Sequence, residues 1–226
     1  MSGMNDPKRT AASVAGLVLA WGGTALLLSP AADFLNDSIT GKCVGQIALW
    51  MLFAAILLIV VFWEKQTIGS LWLRPFRWQS VGWGGFLIVV HLFLLVPATE
   101  WLRKSLGLAG YAAGMEQALA LPLWFRVVAV FTAGVVEETM FRAYTVTRLA
   151  RLSGSAWLAA VLSVTAFAAL HIPVWGIGPS FAFLLGGAVM TAFFIWKRDL
   201  LAMIVAHIAI DAWAFVATPH FSEWWK

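Results

Sequence analysis

Cysteine and charge are what this sequence has least of. Among its 226 residues only Cys43 is a cysteine. That excludes an intrachain disulfide and any zinc site built from several thiolates. Charged residues make up 12%, about half of the ~25% usual in soluble domains. Internal repeats, low-complexity tracts and any compositional break that would mark a second domain are missing too. The net charge of +4 and pI near 9.6 are not arranged as a basic stripe with interleaved aromatics, so they do not point to nucleic acid. What fills the chain is apolar surface: 62% hydrophobic residues and a mean hydropathy of +0.86, against roughly 45–50% apolar in soluble domains. Fourteen Trp and sixteen Phe suit interfacial belts and lipid-facing surfaces. The expected fold class is all-α, a polytopic transmembrane helical bundle forming a single integral-membrane domain over 1–226.

About seven spans are predicted, near 11–30, 44–63, 81–99, 124–152, 156–171, 181–196 and 200–217. The first follows Lys8 and Arg9 and is too long for a signal-peptide core, so it reads as a retained helix. Residues 100–123 are less apolar and read as an amphipathic loop or surface helix. Ser153-Gly154-Ser155 breaks the fourth span from the fifth. Ile172-Pro173 and Gly176 to Pro179 interrupt the chain again before the sixth. Lys and Arg sort by side if the N-terminus is cytoplasmic, which places Lys65, Arg142, Arg148, Arg151 and Lys197 inside. The expected location is therefore the cell membrane, multi-pass, with the lipid bilayer as a standing partner.

One stretch organises the rest: Val135-Val136-Glu137-Glu138-Thr139-Met140-Phe141-Arg142. A charge at the bilayer centre costs at least about 2.5–3.5 kcal/mol on insertion scales, so paired acids there usually have a task. The groups that could meet them are His171, which ends Phe167-Ala168-Ala169-Leu170-His171, and the pair in His207-Ile208-Ala209-Ile210-Asp211. Glu137 and His171 each lie roughly 17 residues from Gly154, which brings them to one level in an antiparallel hairpin rising ~1.5 Å per residue. On the same rise, His207 and Asp211 lie ~10 and ~16 Å into their span, and Glu137 lies ~20 Å into a ~30 Å core. Three spans can thus surround one cavity with Glu137, His171, His207 and Asp211.

Spacing divides roles on each helix. Glu138 and Arg142 are four apart and can neutralise each other, leaving Glu137 free. Phe167 can pack beside His171, and Asp211 can fix the tautomer of His207. Plainer readings exist for each taken singly: an interfacial acid at Glu137, a structural ion pair, a helix-end hydrogen bond at His171, an interhelical hydrogen bond at His207. His91, Thr139 and Tyr144 read as structural or packing residues, and His220 as an interfacial one. Gly41/Gly45, Gly82/Gly85 and Gly186/Gly187 read as helix-packing pairs.

Taken together, Glu137-Glu138-x-x-x-Arg142, Phe167-x-x-x-His171 and His207-x-x-x-Asp211 resemble the three motifs of the CPBP family. These are the CAAX prenyl protease and bacteriocin-processing (Abi) intramembrane endopeptidases. The resemblance covers about residues 120–218, and 1–119 match only as generic spans. It implies a glutamic-type intramembrane endopeptidase acting on a membrane-associated protein or peptide. In it Glu137 activates water with His171, and His207 with Asp211 stabilises the oxyanion. Glu138, Arg142 and Phe167 support the site. The family carries Asn or Asp at the last position. An ionised Asp211 cannot donate a hydrogen bond, so it is either protonated, orients His207 or binds a metal. No cofactor is favoured; zinc is the alternative, with Glu137, His171, His207 and Asp211 as its ligands. Two other readings remain open: a non-catalytic immunity or scaffold protein on the same fold, and a proton-coupled transporter, which lacks the support of an inverted repeat.

Overall fold

The computed structural model describes residues 7–35 and 38–217; the tail with His220 and Trp224 lies outside them. The described residues form helices α1 (Pro7–Leu27), α2 (Ile39–Trp63), α3 (Trp78–Ser105), α4 (Ala112–Leu119), α5 (Leu123–Ser153), α6 (Ala156–Trp175), α7 (Ile177–Lys197) and α8 (Leu200–Ala217). Six of these are each long and apolar enough to cross a membrane. The α4–α5 pair is bent by 118°, and counted as one broken span it brings the number to seven. Among the described residues there is no strand. The chain is a polytopic membrane bundle.

Local sequence sets the helix ends. Ser38, Ser155 and Asp199 cap α2, α6 and α8, each side chain accepting from the backbone N–H three residues on. Gly154 turns α5 into α6 at φ 74°, where a side chain would be strained. Gly176, at φ 82°, makes the next turn. Pro173 does not end α6: the helix runs through it to Trp175, four residues beyond the expected end at His171. Likewise α3 continues to Ser105 and takes in the start of what reads as a loop, so only α4 is a separate surface-type helix.

α5 is the centre of the bundle. Every residue from Glu138 to Val146 is buried. A helix buried all round must satisfy its polar groups internally or against neighbours, and this one satisfies most of them, leaving Glu138 Oε2 and Arg142 Nε without a partner. Thr139 donates to the Val135 carbonyl at 2.7 Å, and Thr145 to that of Met140 at 2.8 Å. α6 and α8 pack on the middle of α5, α3 packs on α8, and α7 packs on α6. Lipid is left with faces such as Met51, Phe93 and Trp101, all strongly exposed.

Two features of α5 depart from expectation. Ala133–Val146 is a 14-residue π-helix; its i→i+5 bonding gives a wider turn than the 3.6-residue geometry assumed from sequence. The arginines near its C-terminal end do not project into solvent. Arg148 is buried against Glu64, donating from Nε at 2.9 Å and Nη2 at 2.7 Å to Oε2. Tyr144 donates to the same carboxylate at 3.3 Å, and Ser13 also bonds it. The composition of the 64–80 connection hides this, because Glu64 looks like an ordinary loop acid until α1, α2 and α5 close over it.

Of the expected glycine packing pairs, Gly186/Gly187 and Gly41 do face close neighbours, whereas Gly45, Gly82 and Gly85 meet nothing. The tight approach of α3 to α8 is at Gly84, where a Cβ would lie 2.6 Å from Val205 Cγ1. Spacing alone cannot say which face of a helix meets a partner.

Candidate active site

The site forms where α5, α6 and α8 meet. Gly134 lets α8 approach: a Cβ there would lie 2.3 Å from Ile208 Cγ1 and 3.2 Å from the Ile208 backbone nitrogen. One turn on, Glu138 Oε1 accepts from two groups, the Arg142 guanidinium and His207 Nδ1, the latter at 2.5 Å. Glu138 is completely buried and the Arg142 side chain nearly so. In such surroundings an unpaired carboxylate would be costly, and two cationic or N–H partners offset that cost.

The expectation that Glu138 and Arg142 neutralise each other holds, but Glu138 does more. It is the group that fixes His207, a task the sequence reading gave to Asp211. A carboxylate oxygen can only accept, so His207 Nδ1 carries the proton and Nε2 faces Asp211 Oδ2, 3.4 Å away. That separation exceeds a hydrogen bond.

His171 is set in the same manner from α6. Its Nδ1 donates to the Phe167 carbonyl at 2.7 Å, which leaves Nε2 as the free nitrogen. Its ring packs 4.3 Å from Phe167 and 5.2 Å from Phe183, centroid to centroid. Phe167 in turn lies under the Arg142 guanidinium, 5.4 Å away, and edge-on to Phe141. Phe167 therefore links the imidazole of α6 to the ion pair of α5. Ser163 pins the same two helices by donating to the Phe141 carbonyl at 2.5 Å.

Glu137 is the remaining acid. Among the described residues no hydrogen bond or ion pair engages its carboxylate, yet it lies within electrostatic reach of His171, His207, Asp211 and Glu138. The four residues singled out from sequence are thus brought together from three helices. Glu138 takes two donors on Oε1 while its Oε2 is buried without a hydrogen-bond partner, and Glu137 is half-buried.

The same geometry bears on zinc. Among the described residues no group of three or more His, Cys, Asp or Glu side chains is disposed to hold a metal ion. The Nδ1 atoms of His207 and His171 bond Glu138 and the Phe167 carbonyl, which turns each Nε2 inward, an orientation that a metal-ligating imidazole shares.

Residues 119–213 match the family model described as Type II CAAX prenyl endopeptidase Rce1-like. No curated protein and no solved structure matches the chain. Glu137, Glu138, Arg142, Phe167, His171, His207 and Asp211 all fall within the matched segment, which spans under half of the chain, and over that segment the chain is similar to the Rce1-like type II CAAX prenyl endopeptidases.

Proposed function

We propose that the chain is an intramembrane endopeptidase of the glutamic type, with Glu137 as the base. The observation that carries this reading is the unengaged Glu137 carboxylate set among two imidazoles and Asp211. Glu137 takes a proton from a water molecule whose second hydrogen is held by His171 Nε2. The hydroxide adds to the carbonyl carbon of the scissile peptide. With Glu138 on Nδ1 and Asp211 beside Nε2, His207 acts as the doubly protonated imidazolium, so its Nε2–H donates to the oxyanion that forms; one such donor in a dry site is worth about 2.7–4 kcal/mol. Asp211 supports that charged form from the Nε2 side. As the C–N bond breaks, Glu137 returns its proton to the leaving amine, so the site is restored without a covalent intermediate.

The substrate is a membrane-associated protein or peptide that reaches the cavity from the bilayer. A prenylated C-terminal peptide, a sorting signal and a leader peptide all meet that description. The basic loops support a cytoplasmic N-terminus. Purified protein in detergent is expected to cleave members of a membrane-peptide library. Glu137→Ala and His171→Ala should each abolish cleavage; full activity in either variant removes this mechanism.

A further inference from the structure

His91 lies outside the matched segment, in the middle of α3, yet three observations bring it to the site. The first is register. Ser80 of α3 donates to Asp199 of α8 at 2.6 Å, an offset of 119 residues. Gly84 touches Ala202 and Val205 further along. The two helices run parallel with one rise per residue, so the offset persists. Applied to His91 it falls on Ile210, beside Asp211. The second is electrostatic: Asp211, His207 and Arg142 all act on His91, Asp211 most strongly. The third is chemical. His91 Nδ1 is buried and bonded by no protein group. Gly186 of α7 closes over the ring, where a Cβ would stand 3.4 Å from Cε1 and 3.8 Å from Nδ1. A buried ring nitrogen left without a protein partner, beside a carboxyl, is a seat for a bridging water.

We propose that His91 is a positioning residue of the reaction centre: through a water shared by its Nδ1 and the Asp211 carboxyl, it fixes Asp211 in the orientation that serves His207. This rests on the endopeptidase reading for its kinetic consequence, but not for the contact itself. The arrangement gives Asp211 a partner on each side, His207 on its own helix and His91 across from α3. It also explains why the Asp211 carboxyl stands 3.4 Å from His207 Nε2 and not at bonding distance: Asp211 is shared.

Two measurements test this. In the cleavage assay, His91→Ala should lower kcat by up to about a hundredfold, the loss expected when a reacting group is misplaced by an ångström, with KM little changed. His91→Asn, whose amide stands where Nδ1 stood, should recover most of it. In the Asp211→Asn background His91→Ala should add little, since both act through one element. Glu137→Gln is the control for the reaction itself. The second measurement needs no activity. With ¹⁵N-labelled histidine in detergent micelles, the His91 ring signals, identified by their loss in His91→Asn, should move when Asp211 becomes Asn. Unmoved His91 signals overturn the proposal whether or not the protein cleaves. So does a His91→Ala loss that multiplies in full onto Asp211→Asn. Moved signals with an inactive Glu137→Gln and an inactive wild type would retain the contact and reject the endopeptidase reading.

Discussion

Replacing Glu138 by Gln separates what this residue does for stability from what it does for catalysis. Glu138 Oε1 accepts from both Arg142 and His207, Glu138 is fully buried and Arg142 nearly so. Gln keeps the shape and one acceptor oxygen but removes the charge, leaving a guanidinium buried without its counter-ion. Breaking a buried pair in this way costs about 3–5 kcal/mol. At about 2–4 °C per kcal/mol for a chain of this size, the midpoint should fall by about 6–20 °C. Replacing both partners, Glu138→Gln with Arg142→Met, removes the stranded charge. Since apolar substitution of a whole buried pair is often neutral or stabilising, the double variant should melt close to the wild type. Cleavage should not return with it, because a neutral amide holds His207 Nδ1 less firmly than a carboxylate. Circular dichroism melts in detergent and a peptide-cleavage assay on the same samples give both quantities. A double variant destabilised by the sum of the single losses refutes the ion-pair argument. A double variant with wild-type cleavage refutes the claim that Glu138 orients His207.

Three further outcomes follow from the packing. Gly134→Val places side-chain atoms where Ile208 already stands, 2.3 Å from the position of a Cβ; α8 must retreat, and kcat should fall about a hundredfold for a shift near an ångström, measured against a retained melting transition. A variant with unaltered kcat would mean that the α5–α8 approach does not set the site. Glu64→Gln strands Arg148 far from the chemistry, so it should lower stability by about 3–5 kcal/mol while the rate per folded molecule stays unchanged; equal loss in both assays would contradict this. Chelation followed by elemental analysis should leave cleavage intact with no stoichiometric metal, as a base at Glu137 requires; loss of activity on chelation and its return with zinc would overturn the glutamic mechanism.

How much of this was legible beforehand depends on whether a property belongs to one helix or to two. Spans are readable because hydropathy is a local sum, and the Gly154 hairpin is readable because only a turn residue needs φ 74°. The pairing of Glu138 with Arg142 and the stacking of Phe167 on His171 are readable because residues four apart share a face, on the widened turn of α5 as on the regular turn of α6. The partners that cross between helices were not. Nothing in the spacing of α8 says that His207 would meet Glu138 before Asp211, because that contact depends on the depth at which Gly134 admits Ile208. Nothing in a polar connection says that Glu64 would be enclosed. His91 is the instructive case. A histidine in the middle of an apolar span carries a cost that usually marks a task, and that signal was present. Helical spacing offers it no partner, so it reads as structural; the partner proposed for it lies on another helix, two elements joined in register by Ser80 and Asp199. An isolated ionisable group inside a span is therefore better read as half of an interhelical contact than as a structural residue, and its other half sought at the same depth.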